Sequence, residues 1–258
     1  MGAVVEALVE RAMQLRDECN ALLSLFDTSD VVAHATNPLD YAWVLHEQYL
    51  RKWGGRGATT LMLGMNPGPY GMAQSGVPFG ATHCVRDFLQ IEHVDLVTPK
   101  NAHPKRPIQG LMLERQEVSG TRIWSLFEEM YRTPEACFAE IFVLNHCPLL
   151  LLGQRGQNIT PEVLSKSLIE PLMQACDTHL SDVVDLLQIE RIIGIGKYAE
   201  RRALHVMHAK HGCGQRKDGT PVRIQTVWHP SPASPRANRN NGEDWKRNVS
   251  EILHDKSA

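Results

Sequence analysis

The chain has 258 residues, 43% of them apolar, and a formal net charge of −2 with its 12 histidines counted neutral. That composition can fill one sizeable core, and the near-neutral balance excludes a global attraction to nucleic acid or membrane, so any polyanion site must be a local patch. The six cysteines, Cys19, Cys84, Cys137, Cys147, Cys176 and Cys213, form no CxxC pair, which argues against a zinc ribbon or an iron–sulfur site.

The N-terminal stretch MGAVVEALVERAMQLRDEC carries acids among its apolar residues. It has neither the unbroken apolar core nor the basic flank of a signal peptide, and no later run is long enough to span a bilayer. The expectation is a reduced, intracellular protein with free thiols. Residues 3–26 place Val4, Leu8, Ala12, Leu15, Leu22 and Phe26 at helical spacing, which predicts a packed N-terminal helix. With no repeat, low-complexity tract or evident linker, the whole chain, 1–258, reads as one domain.

Four apolar runs follow: TTLMLGM (59–65), EIFVLNH (140–146), RIIGIG (191–196) and RIQTVWH (223–229). Each is short, rich in branched residues and nearly continuous, the signature of a strand buried on both faces. Helical patterns separate them, after Ser119, Thr160 and Gly196, and Ser119 and Thr160 are candidate N-caps. The alternation predicts an α/β fold with a central, mainly parallel four-stranded sheet flanked by helices.

Open α/β sheets bind ligands at the carboxyl ends of their strands. Three of these strands end in Asn66, Asn145 and His229, polar side chains far apart in sequence that would converge there. No carboxylate adjoins any of the three, no serine sits in an elbow motif, and the paired carboxylates of an O-glycosidase are not visible. One amide to orient a water, one amide to read a planar heterocycle and one imidazole to face an oxyanion suit a leaving group that departs with the charge, as uracil does when an N-glycosidic bond breaks. Asn145 matches N3–H and O4 of uracil, and cytosine reverses that pattern. The stretch GMNPGPYGMAQSGVPFG (64–80) combines glycines for close approach with prolines for rigidity, and Phe79 supplies a flat face for stacking.

Two other stretches read as decoys. GIGKYAE (194–200) lacks the third glycine of a dinucleotide fingerprint, and HVMHAKHGC (205–213) reads as a solvated helix end rather than a zinc site. The segment HPSPASPRANRNNGEDWKR (229–247) is the strongest local patch for phosphates, with Ser231, Ser234, Pro235, Arg236, Asn238 and Arg239 as candidate DNA contacts. HPKRP (103–107) adds Lys105 and Arg106.

In this order, GMNPGPYGMAQSGVPFG, HPKRP, EVSG, LNHCPL and the HPSP segment up to its tryptophan resemble the single-strand-selective monofunctional uracil-DNA glycosylases, a branch of the uracil-DNA glycosylase superfamily, over about residues 37–250. The resemblance implies a DNA-repair enzyme without metal, cofactor or lyase activity. It would remove uracil and oxidised 5-substituted uracils from single- and double-stranded DNA. Its partner is DNA rather than a membrane; it is expected to be a monomer, in the nucleus of a eukaryote or in the cytoplasm and nucleoid of a bacterium. By position, Asn66 matches the water-orienting asparagine, Phe79 the stacking aromatic, Asn145 the base-reading asparagine and His229 the catalytic histidine. The Gly68–Met72 backbone matches the part of the pocket that senses the 5-position, with Met65, Tyr70 and Met72 as neighbouring substrate contacts. Vertebrate-like members carry an arginine directly after HPSP, where this chain has Ala233. A related glycosylase for mismatched thymine or deaminated purines, and a non-catalytic lesion binder, are the alternatives left open.

Overall fold

In the computed structural model, which describes residues 2–255, the four apolar runs fold as strands. The outer ends of the 1–258 domain reading lie outside the described residues. In chain order the strands are β1 (His34–Thr36), β2 (Thr60–Gly64), β3 (Ile141–Asn145), β4 (Leu150–Leu152), β5 (Arg191–Ile195), β6 (Cys213–Gln215) and β7 (Pro221–Val227). The main sheet has the order β3-β2-β5-β7-β6. Its first four strands are parallel, and every residue of β2 and β3 is buried, so helices must cover both faces. The mainly parallel sheet read from the sequence is therefore present, with one strand more than expected. The extra strand, β6, pairs antiparallel with β7 at the edge. It is three residues long and its one buried residue is Gly214, so it leaves no apolar pattern. β1 and β4 form a separate antiparallel pair.

The chain lays down β2 first, then β3 on one side of it, then β5 and β7 on the other. Strand order thus reverses at β2, and such a reversal opens a crevice at the carboxyl ends of the strands. β2 and β3 are in register from Thr60 with Ile141 to Gly64 with Asn145, so the residues leaving both strands emerge at one level.

The N-terminal helix runs Gly2–Leu22 and tightens into a 3₁₀ turn, Leu23–Thr28. Two expected caps move. The helix Val118–Tyr131 starts one residue before Ser119, with Glu117 at its N-cap and no side-chain cap bond. Thr160 precedes only the 3₁₀ turn Pro161–Val163, and the long helix begins at Lys166 after Ser165. The reason is Leu164, which turns extended and is buried in a side cluster with Leu172 and Cys176, breaking the run before the helix can start. The main core joins Leu8 of the first helix to Trp124, Phe138 and Leu253 of the last. All six cysteines are unpaired, and only Cys213 is exposed. Among the described residues no helix is long and apolar enough to cross a membrane.

Candidate active site

The carboxyl ends of the parallel strands enclose a cleft of about 380 Å³, within the range of small-ligand sites. Asn66, Asn145 and His229 all line it, together with Met65, Gly68, Phe79 and Ser231. The convergence expected of three strand ends is thus observed.

Asn66 lies two residues past β2. Its Nδ2 donates to Asn158 Oδ1 at 3.3 Å and to the Pro67 carbonyl at 3.4 Å, while Asn158 Nδ2 donates to the same carbonyl at 3.0 Å. Asn158 therefore fixes which end of the Asn66 amide is occupied. Oδ1 is left as an acceptor for a water.

His229 lies two residues past β7. The Ser231 backbone N–H donates to its Nδ1 at 3.1 Å. With that lone pair engaged, the neutral ring carries its proton on Nε2, a donor. Burial holds its pKa below the usual histidine range, which keeps the ring neutral at physiological pH. Trp228 just before it is anchored on the helix Glu243–His254. Its carbonyl accepts from Trp245 Nε1 at 2.8 Å and its N–H donates to Asn248 Oδ1 at 3.0 Å.

Asn145, the last residue of β3, is 5% exposed. Its Nδ2 finds only the Met72 sulfur, at 3.2 Å, and its buried Oδ1 has no partner. A buried acceptor left unpaired costs about 1–3 kcal/mol. An amide edge held this way awaits a ligand with one donor and one acceptor side by side.

Phe79 has φ +54°, a left-handed conformation that costs a bulky residue of order 1–3 kcal/mol. Its ring centroid lies 6.3 Å from that of His229. The helix Val118–Tyr131 clamps it from behind, because Gly120 has no Cβ to collide with the Phe79 carbonyl.

The pocket also contains a carboxyl group, contrary to the reading of the three strand ends. Glu117 lines it, its Oε2 is sealed from solvent, and that oxygen has no hydrogen-bond partner. Burial pushes its pKa up to about 7.

The remaining candidates divide. Met72 touches Asn145 from outside the cleft. The Tyr70 ring does not line the pocket; it packs against the guanidinium groups of Arg115, 4.0 Å from the ring centroid, and Arg106, 5.3 Å away. Lys105 is exposed beside them. Ser234, Pro235, Arg236, Asn238 and Arg239 follow Ser231 on one loop. Arg122, not singled out in the sequence, pins this loop, donating to the Pro230 carbonyl at 2.8 Å and to Asn238 Oδ1 at 2.9 Å. Arg236 stacks over Trp228 at 5.6 Å. Asn240 and Asn241 adopt successive left-handed conformations, which asparagine tolerates better than most residues. Among the described residues no group of three or more His, Cys, Asp or Glu side chains is arranged to hold a metal.

Comparisons with known proteins give the family. The family model for the uracil DNA glycosylase superfamily matches residues 52–254. The chain is 39% identical over 237 residues to the single-strand selective monofunctional uracil DNA glycosylase of Bos taurus, covering 92% of this chain and 82% of that protein. It is equally similar, over 238 residues, to the corresponding protein of Rattus norvegicus, covering 92% and 81%. The crystal structure of Pedobacter heparinus SMUG2 has the same fold, with a TM-score of 0.58, 16% identity and coverage of 93% and 95%. The chain belongs to the uracil DNA glycosylase superfamily, with the single-strand selective monofunctional enzymes among its relatives.

Proposed function

We propose that this protein is a DNA-repair hydrolase that cuts the N-glycosidic bond of uracil, and of oxidised 5-substituted uracils such as 5-hydroxymethyluracil, in single- and double-stranded DNA, leaving an abasic site. The observation that carries this reading is the buried amide of Asn145, whose acceptor has no partner in the chain.

The flipped base enters the cleft and stacks on Phe79. Asn145 Oδ1 accepts from uracil N3–H, and Nδ2 exchanges the weak Met72 sulfur for O4. As the C1′–N1 bond breaks, its electron pair leaves with the base and the sugar becomes an oxocarbenium ion. The Nε2–H of His229 donates to the developing oxyanion at O2; a neutral donor is sufficient there, because the charge arises on the base. A water held by Asn66 Oδ1 then bonds to C1′ and releases a proton. Among the described residues no lysine lines the cleft, so none of them places an amine to form the Schiff base that a lyase step requires.

DNA handling falls to the rim. We assign the phosphates and the duplex wedge to Ser231, Ser234, Pro235, Arg236, Asn238 and Arg239 and to Lys105 with the arginines on Tyr70. The protein acts on intracellular DNA as a monomer in this reading.

The test is abasic-site formation on a single-stranded oligonucleotide containing one uracil, read as strand scission after alkali. Scission at the uracil position is expected. No scission with folded protein would overturn the reading, and scission only opposite mismatched thymine or at a deaminated purine would replace it.

A further inference from the structure

Glu117 is absent from the mechanism above, yet its carboxyl occupies the same cleft. Gly68 and Gly71 make room for it: a Cβ on either residue would overlap the Glu117 carboxyl oxygens. A polar group packed this closely on main chain, with Oε2 buried and unpaired, is costly unless something in the cleft uses it.

Its place around the base follows from contacts. Asn145 Nδ2, the group that would meet O4, lies against Met72 Sδ. Met72 directly follows Gly71, on which the carboxyl rests. Going around the ring from O4, the next atom is C5. Glu117 thus stands on the O4–C5 side, whereas His229 is assigned to O2.

We propose that Glu117 is the specificity-determining residue for the 5-position, hydrogen-bonding a hydroxyl carried on a small 5-substituent of the flipped uracil. This rests on the glycosylase reading above. A hydroxymethyl group both donates and accepts, so it pairs with the carboxyl in either protonation state, and burial keeps both states accessible near neutrality. An apolar substituent of the same size would leave Oε2 unpaired and would displace any water that served it.

The experiment compares 5-hydroxymethyluracil with 5-ethyluracil, its near-isostere lacking the hydroxyl, in the same single-stranded oligonucleotide, with plain uracil as reference. The wild-type protein is expected to favour the hydroxymethyl base by about tenfold or more in kcat/KM, the worth of one buried hydrogen bond. Glu117→Met, which keeps bulk with no donor and only a weak sulfur acceptor, should bring the ratio towards one. Glu117→Gln should retain the preference to within about threefold, since its amide both donates and accepts. A wild-type ratio near one, or a full preference kept in Glu117→Met, would overturn the assignment; should the methionine variant not fold, Glu117→Ala gives the same readout, with a full preference again overturning it. Failure to excise plain uracil would instead strike the glycosylase reading itself, so the two failures are distinguishable.

Discussion

The inner wall of the cleft and its outer rim are built by opposite means. On the wall, Asn145 and Glu117 hold polar atoms that are buried and unpaired, and Phe79 is forced into a left-handed backbone. On the rim, the loop from Pro230 to Gly242 is largely exposed, and its fixed points are Arg122 bonds and turns. The wall stores unsatisfied chemistry that a base can relieve, so it governs which base is cut and how fast. The rim is already satisfied by the protein, so it governs how DNA is presented.

The most direct way to break this division is at the wall. His229→Ala should lower single-turnover excision by roughly 10²–10³, the loss of one preorganised oxyanion donor, while leaving the fold and DNA affinity in place. Near-wild-type excision by a folded variant would remove His229 from the chemistry.

The acid on the wall should show itself in stability. Burial raises the Glu117 pKa from 4.5 to about 7 in the folded chain. Between those values the folded state keeps a proton that the unfolded chain has lost. Its contribution therefore favours folding below about pH 4.5, falls as pH rises and levels off above about 7, a change of about 3 kcal/mol. Urea unfolding at pH 5 and pH 8 should show this difference shrinking in Glu117→Gln; an unchanged difference would mean the carboxyl is not desolvated.

Asn145→Ala should cost about 1–3 kcal/mol of transition-state binding, or roughly fivefold to 150-fold in kcat/KM for uracil. If its excision rate were unchanged, the reading role would belong to another residue.

The smallest effect is expected at the rim. Arg236→Ala should slow excision from a U:A duplex several-fold more than from a single strand, because only the duplex pays a few kcal/mol to unstack the base. Equal losses on both substrates, with a shallower salt dependence, would make Arg236 a phosphate contact alone.

Legibility in the sequence follows the same boundary. Asn66, Asn145 and His229 were readable because each ends or closely follows a strand of the parallel sheet, Asn145 as the last residue of β3 and the other two just past β2 and β7, and Phe79 because an aromatic stands out in a glycine–proline loop. Glu117 was not. It follows Gln116 in a polar stretch, and what buries it is the absence of two Cβ atoms at Gly68 and Gly71, distant in sequence. Asn158 and Arg122 escaped for a similar reason: each acts on a loop that only folding brings to it. The parallel sheet was legible from apolar runs, whereas β6, whose only buried residue is Gly214, carries no periodicity to read.

Ser231 stands between Pro230 and Pro232, so it is the one member of that triplet with an amide hydrogen, and it spends that hydrogen on His229 Nδ1. The tautomer of the imidazole is thereby inherited from the main chain. Any residue with an amide hydrogen could pass the same proton placement on, whereas the Ser231 hydroxyl has a separate task, accepting from the Ala233 N–H at 3.1 Å and so tightening the turn that follows. Proline alone is forbidden there, since a third consecutive proline would erase the donor and let the imidazole turn its lone pair towards the base.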